Sequence, residues 1–287
     1  MTTQTASAIT SSPLHEENIE GFLLLTFNQP EARNPLGSEV VAALTAALDR
    51  AETNAQVRAL ILRGYGSVFS AGGNLGNFKD RLAAPMNADG SDPIAASNRA
   101  FGAFLERLRC FPKPVVVAAH GAAMGGGVGL VCAADIAIVC ADTKFCFTET
   151  KLGLIPAQIL PFVVERIGGK AARRLMLSAE RFSADDALRI GLVDFVAPDM
   201  DALRDRLVSV LNSISDCAPN AVMATKRLSY RNDWETSEEG LSRLLDDCAT
   251  AFAAAMRDEA SEGLTALREK RAPSWTKSFP REALAQW

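Results

Sequence analysis

The apolar run Val115–Ala119 leads straight into Gly121-Ala122-Ala123-Met124-Gly125-Gly126-Gly127-Val128-Gly129-Leu130. A strand that ends in glycines and continues as a helix leaves bare backbone N–H groups at the helix start, where partial positive charge gathers. Such groups suit an anion, or an oxygen that gains charge during a reaction. A second apolar strand, read over Val57–Gly64, runs into a comparable turn, Phe69-Ser70-Ala71-Gly72-Gly73-Asn74-Leu75. Two such turns can aim two donors at one carbonyl oxygen. Neither has the G-x-G-x-x-G spacing of a dinucleotide site, and no Lys-Ser or Lys-Thr follows as in a phosphate loop. Glu149 follows Phe145-Cys146-Phe147, so it should leave a strand end; taken alone, a glutamate in that place reads as a surface residue.

The elements that must carry these groups alternate short strands with helices. Phe22–Phe27 and Ile136–Cys140 read as strands, and Gly37–Ala51 as an amphipathic helix with Val40, Val41, Leu44 and Leu48 on its apolar face. Asn98–Cys110 reads as a helix that stops before Phe111-Pro112-Lys113-Pro114. Ile159–Ile167 and Ala171–Leu177 look helical, Ser183 caps a helix over Ala184–Ile190, and Leu192–Val196 is read as the last strand. From Asp199 onward almost only helical pattern remains. Between Gly76 and Ser97 the pattern dissolves into Ala, Pro, Asn, Asp and Gly, as in a mobile lid or a plain flexible loop. The division expected is a flexible tail over 1–12, an α/β core over 13–198 and a helical region over 199–287.

Composition sets the limits. Of 287 residues 48% are apolar, enough for a sizeable core, and the net charge of −4 gives no reason to expect nucleic acid or an anionic membrane as partner. The six cysteines show no C-x-x-C pair and mostly lie in apolar runs, which predicts reduced core thiols. With only His15 and His120 present, no metal site is expected; His120 reads as a hydrogen-bonded structural residue and His15 as part of the tail. No apolar run reaches the roughly 18 residues needed to span a bilayer. The Ser/Thr-rich start lacks an apolar core segment, and no Arg precedes Arg33, so neither a secretory signal nor a mitochondrial presequence is expected. A cytoplasmic location follows as the expectation.

Taken in order, the motifs resemble those of the enoyl-CoA hydratase/isomerase (crotonase) superfamily, from about Ile19 to about Lys277. Asn28-Gln29-Pro30-Glu31-Ala32-Arg33-Asn34-Pro35-Leu36 is similar to the family's entry to its first helix. The Phe69–Leu75 turn, the triple glycine, Ala134-Asp135-Ile136 and Glu149-Thr150-Lys151-Leu152-Gly153-Leu154-Ile155-Pro156 follow at the family's spacing. The resemblance implies a spiral of β-β-α turns and a helical C-terminal trimerisation region, hence a homotrimer or dimer of trimers. It also implies an acyl-CoA thioester as substrate, with no metal, flavin or nicotinamide cofactor. It assigns the amides of Gly73 and Gly126 to the thioester oxygen and Glu149 to catalysis. The backbone around Ala71 and Asn74–Leu75 would hold adenine, and Ala32–Arg33 would line the nucleotide site. Trp275 and Lys277 would reach CoA from the closing helix and tail, often on a neighbouring subunit.

One departure from the pattern matters for mechanism. Two-glutamate hydratases carry a second Glu where this chain has Gly129. Three readings stay open: Glu149 alone hydrates the double bond, Glu149 shuttles a proton as a Δ3-Δ2 enoyl-CoA isomerase, or the chain is a non-catalytic CoA-ester- or RNA-binding relative. The wording Gly126–Leu130, Thr148-Glu149, Gly153–Ile159 and Ala179-Glu180-Arg181-Phe182 resembles bacterial glutaconyl-CoA hydratases, which take 3-methylglutaconyl- or isohexenylglutaconyl-CoA. In that setting Gln158 would bond the water or a distal carboxylate, or simply start a helix. Lys79, Arg81 and Arg99 flank the pocket loop as possible cations, or as ordinary solvated residues.

Overall fold

The computed structural model describes residues 12–73, 85–231, 238–285 and 287. The chain runs β1 (Leu14–Ile19), β2 (Phe22–Phe27), β3 (Pro35–Leu36), α1 (Ser38–Thr53), β4 (Ala59–Gly64), β5 (Gly72–Gly73) and α2 (Pro93–Arg109). It continues through β6 (Val115–Ala119), β7 (Ala122–Met124), α3 (Gly126–Ala133), β8 (Ile136–Cys140), β9 (Lys144–Cys146), α4 (Leu160–Ser178), β10 (Phe182–Ser183), α5 (Ala184–Arg189) and β11 (Phe195–Ala197). Four helices follow: α6 (Met200–Asp216), α7 (Pro219–Ser229), α8 (Glu238–Arg257) and α9 (Ala260–Glu269).

The repeat is a long strand, a short strand and a helix. The long strands build one sheet in the order β1-β2-β4-β6-β8-β11, parallel except for the antiparallel edge strand β1. The short strands pair separately, β3 with β5 and β7 with β9. Both faces of the inner strands are covered, which is why β2, β4, β6 and β8 read mainly as apolar runs. Leu23, Leu25, Phe27, Leu60, Leu62, Val115 and Val117 face α1–α4, while Phe22, Leu24, Ile61, Val116 and Ala118 face Leu203, Leu207 and Leu211 of α6 together with Phe279 and Leu284. The period-two split places the two cores on opposite sides.

Several boundaries differ from the sequence reading, each for a local reason. The helix expected from Asn98 begins at Pro93, because Asp92 accepts a hydrogen bond from the Ile94 amide (2.8 Å) and Pro93 supplies a preset first turn. The two helical stretches before and after Gly168 are one element broken at that residue, whose φ is +73°. The strand read from Val57 starts at Ala59, since the Val57 amide closes a turn onto Asn54 O. Leu192 is not strand: its amide bonds Ala187 O behind α5, and pairing with β8 starts at Phe195. Ser183 caps α5 as expected, in a reciprocal box with Asp186. His15 belongs to β1, opposite Thr26, not to a tail. Cys132, Cys140 and Cys146 are buried, but Cys110 and Cys217 are exposed, so core placement holds for only part of the set.

The C-terminal helices are tied to the sheet by a polar cluster. Asp135, at the start of β8, receives Lys226 Nζ at 2.6 Å, the Tyr230 hydroxyl at 2.9 Å and the Val115 amide at 2.7 Å. Lys226 is nearly buried: burial pushes its pKa down, while Asp135 beside it pulls in the opposite direction.

Candidate active site

The site lies where the long strands end. After β4 the chain turns through Val68–Gly73, and after β6 through Gly121–Gly126. The turns are laced together: Phe69 N donates to His120 O (2.9 Å), Ser70 N to Ala122 O (3.0 Å), and Met124 N to Ser70 O (3.0 Å). His120 is buried with Nε2 against Gly66 O at 2.8 Å, the structural role expected of it. Gly72 has φ +87°, and a Cβ there would stand 2.5 Å from Met124 O and 3.5 Å from Gly126 N. Only glycine lets the two turns approach this closely. Gly126 opens α3, so its amide belongs to the unpaired first turn of a helix. Gly73 is exposed, and a Cβ built on it meets nothing within 4 Å among the described residues.

Glu149 joins them from the third turn. It follows β9 and starts a short 3-10 turn, Glu149–Leu152, closed by Gly153 and by Leu154 N on Glu149 O at 3.0 Å. The neighbouring Gly125 amide bonds Cys146 O at 2.9 Å, which locks the triple glycine to the strand that delivers the carboxylate. A Cβ on Gly125 would lie 3.0 Å from Glu149 Oε1. Oε2 is buried and hydrogen-bonded to nothing among the described residues. Burial without a partner pushes the Glu149 pKa above the ordinary glutamate value. The arrangement sets a half-buried carboxyl, shifted toward its protonated form, beside a helix start.

The position of the missing second glutamate is filled. A Cβ on Gly129 would lie 2.5 Å from Ile159 Cγ2 and 3.4 Å from Leu105 Cδ1. Ile159 is buried, so the space belongs to the core. The sequence gives no sign of this beyond an apolar residue after Gln158. Gln158 itself packs into a notch at Gly102 on α2 and donates Nε2 to Asn98 Oδ1 at 3.0 Å. It bonds α2, not Glu149. Arg99, one of the flanking cations, is ion-paired with Glu106 at 3.1 Å; Lys79 and Arg81 lie outside the described residues.

Among the proposed CoA contacts, Ala32, Arg33 and Ala71 come together. Arg33 and Asn34 both hold positive φ (+64° and +51°), and the Ala71 amide donates to Arg33 O at 2.9 Å. Non-glycine residues there are strained and need support. Asn34 provides it: its Nδ2 donates to Tyr65 O (2.8 Å) and Val68 O (2.9 Å), and its Oδ1 accepts the Gln29 amide (3.0 Å). This buried clamp escaped the sequence reading, although Asn34 stands in the motif. Asn74 and Leu75 lie outside the described residues. Trp275 and Lys277 sit at the other end of the sheet in this chain. Trp275 donates Nε1 to Asp216 O and accepts Arg58 Nη1, at the start of β4, while the Lys277 amide donates to Ser215 Oγ.

Comparison with known proteins identifies the family and the fold. Residues 17–278 match the enoyl-CoA hydratase/isomerase family. A putative enoyl-CoA hydratase of Thermus thermophilus is 32% identical over 255 residues, covering 88% of this chain and 97% of that one. The crystal structure of an enoyl-CoA hydratase/isomerase from Marinobacter aquaeolei superposes with a TM-score of 0.87 at 39% identity, covering 93% of this chain and all of that one (100%). That of Pseudomonas aeruginosa AtuE gives 0.84 at 44% identity, over 92% of this chain and 100% of that one. The chain therefore belongs to the enoyl-CoA hydratase/isomerase (crotonase) superfamily and has its fold.

Proposed function

We propose that the chain is a hydro-lyase that adds water to a branched 2-enoyl-CoA of the glutaconyl type, with Glu149 as its single acid/base. The observation that carries this is the half-buried Glu149 carboxyl, its Oε2 unpartnered among the described residues, beside Gly125 at the head of α3. The thioester oxygen sits between the Gly73 and Gly126 amides. As Glu149 takes a proton from water, the water oxygen bonds Cβ, and the double-bond electrons move onto Cα and the thioester oxygen. The two amides hold that enolate, and losing one such donor typically costs about 3–4 kcal/mol of transition-state stabilisation. The protonated Glu149 then delivers its proton to Cα, which regenerates the carboxylate. The chemistry asks for no metal, flavin or nicotinamide. CoA lies against Ala32, Arg33 and Ala71, with Asn74–Leu75 at the adenine and Trp275 and Lys277 reaching a neighbour's CoA. The 3-methylglutaconyl and isohexenylglutaconyl esters are the acyl groups suggested by the wording around Gln158, with Gln158 towards the distal end.

The runner-up is Δ3-Δ2 enoyl-CoA isomerisation, and Ile159 in the place beside Gly129 favours it: one carboxyl suffices to move a proton between Cα and Cγ. Turnover in oxygen-18 water separates the two. Hydration yields a product that carries the label, whereas isomerisation yields a product of unchanged mass.

A homotrimer or dimer of trimers, acting in the cytoplasm, is part of the same reading. Leu241, Leu245, Phe252 and Met256 fall on one stripe of α8 and are 45–69% exposed, an apolar face that assembly would cover. No helix among the described residues is long and apolar enough to cross a membrane.

A further inference from the structure

We propose that the Ser70 hydroxyl is a positioning residue that holds the Gly73 donor at the thioester oxygen; this rests on the two-amide reading above. At Ser70 the chain changes partner. Up to that residue it pairs with β7, through the Ser70–Ala123 bridge and the hydrogen bonds Ser70 N to Ala122 O and Met124 N to Ser70 O. Two residues later it pairs with β3 instead, Gly72 opposite Pro35 and Gly73 opposite Leu36. The switch is sharp, and Gly72 takes φ +87° to make it.

The Ser70 side chain sits inside the switch. Its Oγ donates to Asn34 O at 2.8 Å and accepts the Gly72 amide at 3.1 Å. Both groups are buried. A serine hydroxyl that bonds an amide two residues on fixes a turn that the backbone alone would not hold. Here the same oxygen also reaches Asn34, the residue clamping the strained Arg33–Asn34 corner. One hydroxyl thus joins the nucleotide-side corner to the Gly72–Gly73 turn. Its backbone, meanwhile, is bonded to the turn that carries Gly126. A Cβ on Gly127 would lie 3.1 Å from Ser70 Cβ, so the side chain is also wedged against α3. Without the hydroxyl the Gly72 amide loses its acceptor, and the direction of the Gly73 N–H is no longer fixed relative to Gly126.

The test uses the full chain with butyryl-CoA carrying carbon-13 at the carbonyl, a saturated thioester that cannot be hydrated. The readout is the isotope-edited infrared band of the bound carbonyl, which falls in frequency as donors polarise it. In the wild type the band should lie below that of the free ester. In Ser70→Ala it should return part of the way, with the dissociation constant changed less than about 3-fold and kcat on the preferred enoyl-CoA lowered about 10- to 100-fold at nearly constant KM. Ser70→Cys keeps the volume with a weaker donor and should fall between the two, which preserves the test if the alanine variant folds poorly. A bound band in both variants identical to the wild type would overturn the role of Ser70 while leaving the two-amide reading intact. A wild-type band equal to that of the free ester would overturn both.

Discussion

Ile159 occupies the space that any side chain at position 129 would need, with its Cγ2 2.5 Å from where a Cβ on Gly129 would stand. An Ala in an open helix interior is worth up to about 1 kcal/mol over Gly. Here the neighbour is a buried β-branched residue, and overpacking reverses the sign. Gly129→Ala should lower stability by about 1–3 kcal/mol. In an Ile159→Ala background, itself destabilised by lost core packing, Gly129→Ala should cost less than in the wild type, so the two changes are non-additive in urea unfolding. Simple additivity would mean that the helix carrying Gly129 relaxes away from Ile159.

Glu149 should set the acid side of the pH profile. Its pKa is raised by burial, and only the unprotonated carboxylate can accept a proton. The acid limb of kcat/KM should therefore lie above the ordinary glutamate range and vanish along with activity in Glu149→Gln. For stability the sign runs the same way. A carboxyl whose folded pKa is raised favours the folded state at pH below its unfolded value, and that contribution is lost as pH rises through the folded value. Glu149→Gln should thus gain stability relative to wild type as pH rises toward neutrality. Melting temperatures across pH 4 to 8 would check it, and parallel curves would contradict it.

The Asp135–Lys226–Tyr230 cluster should be costly to break from one side. Lys226→Met leaves Asp135 without its cation in a mostly buried place, and breaking such a pair typically costs about 3–5 kcal/mol. Because Lys226 lies on α7 and Asp135 on the main sheet, the same variant should speed hydrogen exchange in α7 ahead of the sheet. Urea midpoints and amide exchange would measure both effects.

The apolar stripe of α8 should be an assembly surface. Phe252→Glu places a charge in the middle of the Leu241–Met256 face and should reduce the particle mass seen by light scattering, with turnover per chain falling alongside. An unchanged mass would remove α8 from the interface.

The inner strands of the main sheet were legible because each is buried and reads as an apolar run ending in a turn: Phe22–Phe27, Val115–Ala119 and Ile136–Cys140 carry the same limits in both readings, whereas the largely exposed edge strand Leu14–Ile19 was missed. The short strands β3, β5, β7 and β10 were not, since two or three residues such as Gly72–Gly73 have no periodicity to detect. The glycine turns stood out by residue type, and Glu149 through the resemblance to the family. What sequence could not show was spatial: that Asn34 clamps the Val68 turn, that Ser70 sits in the strand switch, and that Ile159 fills the notch at Gly129. Each depends on pairs far apart in the chain, and the side chains involved look like ordinary core or loop residues when read alone. Gln158 illustrates the reverse case. Its polar type left a ligand contact and a helix start equally open, and its Nε2 bonds Asn98, a pairing the sequence did not suggest.

The most direct test of Glu149 as single acid/base follows the absorbance of the conjugated enoyl thioester. Purified protein would be given 3-methylglutaconyl-, isohexenylglutaconyl- and crotonyl-CoA, with Glu149→Gln beside it. Hydration removes the conjugation, so a branched glutaconyl ester should lose its absorbance, and Glu149→Gln should slow that loss by about 10²- to 10⁴-fold. If all three esters stay unchanged while a 3-enoyl-CoA gains conjugated absorbance, hydration is contradicted and the carboxyl at 149 belongs to an isomerase.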